Sequence, residues 1–175
     1  MKRSQIVKSG VLGLLLFVSL LFCNAYAEEG IYVLDRAQGF HRIGNTSAKE
    51  TGVIPPSALD IEVTEDGKGI YALEPDGSIN IQGSGALFKG TTLLETSEAR
   101  RMTISRRGFA ILDKEGRIHF GGGQPDLDWR VFFGWDIARD VELTPDGDGM
   151  VVLDGFGGLH YRGNVPSLPS PFFGW

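Results

Sequence analysis

The chain has 175 residues and a net charge of −5, with 42% hydrophobic and 22% charged residues. That is a globular composition with enough apolar mass for one domain core, and it excludes a disordered chain. All 22 acids follow position 27 while Lys2, Arg3 and Lys8 precede it, so residues 28–175 carry 14 basic against 22 acidic residues, a net −8. So acidic a chain is a poor match for nucleic acid or an anionic membrane surface, and neither is expected as a partner.

The first 27 residues have three parts. A basic start (Met-Lys-Arg) leads into an apolar run over 11–22 and then a small-x-small end at Ala25-Tyr26-Ala27. This is the pattern of a cleavable export signal over 1–27. Twelve residues at about 1.5 Å each span about 18 Å, short of the ~30 Å hydrocarbon core, so no membrane span is expected once the signal is removed. The expected location is extracytoplasmic, periplasmic or secreted. Lipidation at Cys23 is the alternative, but Phe22 fills the place where a lipobox has a small residue. Cys23 is the only cysteine, so cleavage after Ala27 leaves no thiol and no disulfide.

Residues 28–175 read as four copies of one unit, over 30–68, 69–107, 108–148 and 149–175. Each opens on a glycine, an apolar run, a leucine and an acid: 30–35 (GIYVLD), 69–74 (GIYALE), 108–113 (GFAILD) and 149–154 (GMVVLD). The opening glycines are 39, 39 and 41 residues apart. Six residues after each acid stand His41, Asn80, His119 and His160. Nine after each acid stand Gly44, Gly83, Gly122 and Gly163. Three alternating segments, 58–64, 99–105 and 138–144, precede the later units with the period of two that marks a half-buried strand. Asp-Gly pairs at 66–67 and 146–147 mark tight turns. A fourth segment holds an apolar pair in each unit: Val53-Ile54, Leu93-Leu94, Phe132-Phe133 and Phe172-Phe173. The expectation is four short antiparallel strands per unit, in the order A, B, C, D, with the first unit lacking its A strand.

This repeat length and strand order resemble the WD40, YVTN and TolB-type β-propeller repeats. The resemblance runs over the whole of 28–175 and is architectural only. The Trp-Asp dipeptide that names WD40 repeats is absent from the C-strand ends, so no functional residue is carried over. It implies an all-β, propeller-like fold. A β-sandwich is the other architecture open here; it accounts for short strands but not for the repeat. An unpaired first B strand, Ile31, Tyr32, Val33, Leu34 and Asp35, is a candidate edge for an added strand from a protein partner or a second copy.

The acid and histidine columns pair Asp35 with His41, Asp113 with His119 and Asp154 with His160, and Glu74 with Asn80 in the second unit. On outer strands these residues are too widely spaced for one zinc ion, so they are read as a structural bond repeated once per unit. Asp146 and Asp148 lack the spacing of a calcium loop. No catalytic residue, metal ligand or cofactor motif is found. Trp129 and Trp135 are candidate ligand contacts. The functional expectation is an exported, non-catalytic binding or scaffold module. A lectin-like propeller is the first alternative. The second is an enzyme or cation-binding protein using channel carboxylates, drawn from the A-strand polar positions Asp60, Glu62, Arg101, Thr103, Asp140 and Glu142.

Overall fold

The computed structural model describes residues 30–35, 39–44, 54–64, 67–83, 98–166 and 168–172. The segment expected to be an export signal, with Cys23, the Leu93-Leu94 pair, Val53 and residues 173–175 lie outside them. The described residues are all-β, with eleven short strands and no helix. The B-type segments form β1 (Gly30–Leu34), β4 (Gly69–Leu73), β7 (Phe109–Asp113) and β10 (Gly149–Asp154). The C-type segments form β2 (Phe40–Gly44), β5 (Ile79–Gly83), β8 (Ile118–Gly121) and β11 (Leu159–Gly163). The alternating segments form β3 (Asp60–Val63), β6 (Ala99–Ile104) and β9 (Ala138–Leu143).

These strands make four small antiparallel sheets: β1-β2, β3-β4-β5, β6-β7-β8 and β9-β10-β11. The register repeats with the sequence, since the opening glycine of a B strand faces the closing glycine of its C strand: Gly30 opposite Gly44, Gly69 opposite Gly83 and Gly149 opposite Gly163. Turn chemistry sets the hairpins. At the β9–β10 turn the Gly147 N–H donates to the Thr144 carbonyl at 2.8 Å. Its φ of 69° is one that glycine tolerates and side-chain-bearing residues avoid.

Strand alternation gives every B strand two faces, and both faces pack in the middle of the array. Tyr32 and Leu34 join Ile61, Ile70 and Ala72 between the first and second sheets. Tyr71 and Leu73 join Met102, Phe109 and Ile111 between the second and third. Ala110 and Leu112 join Val141, Met150 and Val152 between the third and fourth. A large apolar side chain fully buried in this way stabilises by about 1.5–3 kcal/mol, so these three clusters hold the sheets in sequence. Among the described residues the sheets form no closed barrel.

The fourth segment corrects the expectation. Residues 124–137 form no strand, nor do Ile54, Pro171 and Phe172. The Phe133 N–H donates to the Glu115 carbonyl in the β7–β8 turn at 2.7 Å instead of joining a ladder on β8. Leu127, Trp129 and Phe133 pack on the core between the third and fourth sheets. Phe133 therefore fills a groove between sheets rather than extending one, while its neighbour Phe132 stays exposed. Among the described residues no helix is long and apolar enough to cross a membrane.

Candidate functional site

Strands β3, β6 and β9 bring four carboxylates together. Asp60 and Glu62 lie on β3, Asp140 and Glu142 on β9, with Arg101 and Thr103 on β6 between them. Asp60 is buried, and its Oδ2 accepts from the Met102 N–H at 2.9 Å across the sheet gap. Burial pushes its carboxyl up to about 6; the Arg101 guanidinium and the Met102 N–H pull the other way, and Asp140 adds to the rise. Glu62 is driven well above the usual range by burial, then by Asp60, Glu142 and Asp140. Glu142 is raised to about 7 by the surrounding protein and by Asp140 and Asp60, with Thr103 opposing. Its side chain still reaches water, which limits the cost of ionising it. Thr103 links the third and fourth sheets: its Oγ1 accepts from the Leu143 N–H at 3.2 Å and donates to Glu142 Oε2 at 3.5 Å. Among the described residues no group of three or more acids, histidines or cysteines is arranged to hold a metal ion.

The acid and histidine columns meet at the B–C turns. His Nε2 lies 2.7 Å from Asp35 Oδ2, 3.3 Å from Asp113 Oδ2 and 2.9 Å from Asp154 Oδ2 in the first, third and fourth sheets. The other carboxylate oxygen caps the turn. Asp113 Oδ1 accepts from the N–H groups of Glu115 and Arg117, and Asp154 Oδ1 from those of Phe156 and Gly158. Burial works to raise Asp113 and Asp154, but the histidines and turn N–H groups outweigh it and hold both below the ordinary carboxylate range. In the second sheet Glu74 accepts from Ser57, Asn80 accepts from Gln82, and Asp76 caps the turn through the Ser78 N–H at 2.9 Å.

The two candidate tryptophans are in different settings. Trp129 is half-buried, and its Nε1 donates to the Gly116 carbonyl at 2.7 Å. Trp135 is 66% exposed. The segment carrying it is tied down on both sides, by the Phe133 bond to Glu115 and by the Gly155 N–H donating to the Ile137 carbonyl at 2.7 Å. Phe133 stands edge-on to His160, with centroids 5.2 Å apart, and lies over Gly116. A Cβ at Gly116 would meet the Phe133 ring at 2.4 Å, so only glycine fits beneath it. Phe132 is exposed with the Arg117 guanidinium 4.4 Å from its ring centroid, and Phe156 is exposed in the β10–β11 turn. Phe132, Trp135 and Phe156 thus share the end of the molecule formed by the B–C turns.

Of the candidate edge, residues 31–34 lie on β1 and Asp35 follows it; β1 pairs with β2 in a sheet of two strands among the described residues. Tyr32 and Leu34 are buried against the second sheet. Gln124 stands in no repeated column of the sequence. It is buried, takes a bond from Ser105 Oγ at 2.7 Å and donates to the Gly147 carbonyl at 2.8 Å, joining the β6–β7 and β9–β10 turns. No protein-family model matches this chain, and comparison with curated proteins gives no match.

Proposed function

We propose that this chain is an exported, non-catalytic binding module of propeller-like architecture that docks a protein partner on the rim formed by Phe132, Trp135 and Phe156. The observation that carries this reading is Trp135, 66% exposed on a segment pinned by backbone bonds to two neighbouring turns. A large aromatic held rigidly in water loses little conformational freedom on binding and gains much from being covered. Aromatic residues with arginine beside them are the composition enriched at the energetic centres of protein interfaces. Arg117 over Phe132 supplies that pairing. The export signal over 1–27 supports an extracytoplasmic partner.

The test is affinity enrichment from the extracytoplasmic fraction with the wild-type chain and with Trp135→Ala, alongside a glycan array. The reading expects a protein captured by the wild type and lost with the variant. Equal capture by both would defeat it. Saccharide binding that depends on Trp135 would replace the protein partner with a sugar.

A further inference from the structure

The four sheets pack in one direction by a repeated rule. Counted from the opening glycine of each unit, positions three and five of the first three B segments face the next sheet. In the second sheet these are Tyr71 and Leu73, 1% and 0% exposed; in the third, Ala110 and Leu112, both 0%. In the fourth sheet the same positions are Val151 and Leu153, and both are partly exposed. Positions two and four receive the preceding sheet. They are Ile70 and Ala72, Phe109 and Ile111, and Met150 and Val152, none above 5% exposed. In the first sheet position four is Val33, which is partly exposed. Val33 lies opposite His41, and Ile43, two residues along β2 on the same face, is 58% exposed.

The connecting segments repeat the contrast. Gly122-Gly123-Gln124-Pro125-Asp126-Leu127 after β8 matches Gly163-Asn164-Val165-Pro166-Ser167-Leu168 after β11 in its glycine, proline and leucine. Leu127 packs on the core between the third and fourth sheets. Leu168, with no described sheet beyond it, is 57% exposed. The two outer faces therefore have the two halves of a junction that the array already makes between its sheets. Among the described residues, β1 and β2 pack on the second sheet, and the fourth sheet packs on β6 and β7.

We propose that the open face of the fourth sheet, at Val151, Leu153 and Leu168, receives the open face of the first sheet, at Val33 and Ile43, from a second copy of this chain. The contact is head to tail, so each copy uses a different face and assembly grows into a ring or a filament. The occupant is a second copy because the faces continue, in the same strand positions, the interface that joins the second sheet to the third and the third to the fourth. This surface is separate from the aromatic rim proposed for the partner.

The test is sedimentation velocity on the purified chain over a wide concentration range, with Val151→Glu and Ile43→Glu as variants. Both substitutions fall at solvent-reached positions, and circular dichroism checks that each variant is folded. Leu168→Glu, in a segment outside the sheets, replaces Val151→Glu if that one fails to fold. The wild type should form concentration-dependent oligomers, and each variant alone should sediment as a monomer. An equimolar mixture of the two variants should recover a dimer, because one intact face of each kind remains. A wild type that stays monomeric, variants that still assemble alone, or a mixture that remains monomeric would each overturn the proposal.

Discussion

The carboxylate of Asp60 on β3 accepts a hydrogen bond from the backbone N–H of Met102 on β6, 2.9 Å away, in the gap between the second and third sheets. A buried carboxylate thus satisfies a backbone donor of the neighbouring sheet. Asp60→Ala leaves that N–H without its acceptor and should destabilise the fold by about 1–3 kcal/mol. Asp60→Asn keeps an acceptor oxygen and removes a charge that burial disfavours, so it should cost much less. Urea denaturation of both variants checks the order; equal losses would contradict it.

Stability should fall as the pH rises from about 4 to about 7. Asp60 moves from 3.8 to about 6 on folding and Glu142 from 4.5 to about 7, with Glu62 raised as well. Raised carboxyls favour the folded state while protonated. Their contribution is full below the unfolded values and is lost as pH climbs through the folded ones. Asp113 and Asp154 act oppositely, because their lowered values give stability that disappears as pH drops below 3.8. Thermal unfolding midpoints should therefore peak between the two limbs. Glu142→Gln should flatten the alkaline limb, and an unchanged limb would count against the account.

The turn acids should matter more than their histidines. Asp154 is buried and takes two turn N–H groups besides His160, whereas His160 is half-exposed. Asp154→Ala should cost about 1–3 kcal/mol through uncapped donors. His160→Ala removes one partly solvated partner and should cost under about 1 kcal/mol. Chemical denaturation reads the ratio, and the reverse order would point to a role for the imidazole beyond the turn.

Gly116 has φ 89° and carries the Phe133 ring where its Cβ would be. Gly116→Ala should lower stability by about 1–2 kcal/mol from backbone strain alone. It should also shift Phe133, and with it the segment that presents Trp135. Thermal melting together with the quenching of indole fluorescence by acrylamide would register both effects.

The B and C strands were legible because glycine, leucine, acid and histidine recur at fixed intervals, and the structure keeps them opposite each other in β1-β2, β4-β5, β7-β8 and β10-β11. The three alternating segments were legible as β3, β6 and β9 for the same reason. The fourth segment was misread, since a Phe-Phe pair fits a strand as well as a groove and nothing local shows that the Phe133 N–H bonds to a turn. Alternation told which face Asp60 occupies but not that it caps Met102 on another sheet. Gln124 occurs in one unit only, so no repeated column exposed it. Trp129 and Trp135 lie six residues apart in one aromatic stretch, and only the path of the chain between sheets separates the bonded indole from the exposed one.

The most direct test of the binding account is site-specific photocrosslinking in the producing cell, with a photoreactive phenylalanine analogue placed at position 135 and, in a second strain, at position 129. Trp135 projects into solvent while Trp129 is half-buried between sheets. The account predicts a discrete protein adduct from position 135 and none from position 129. No adduct at 135, or the same adduct from both positions, would contradict it.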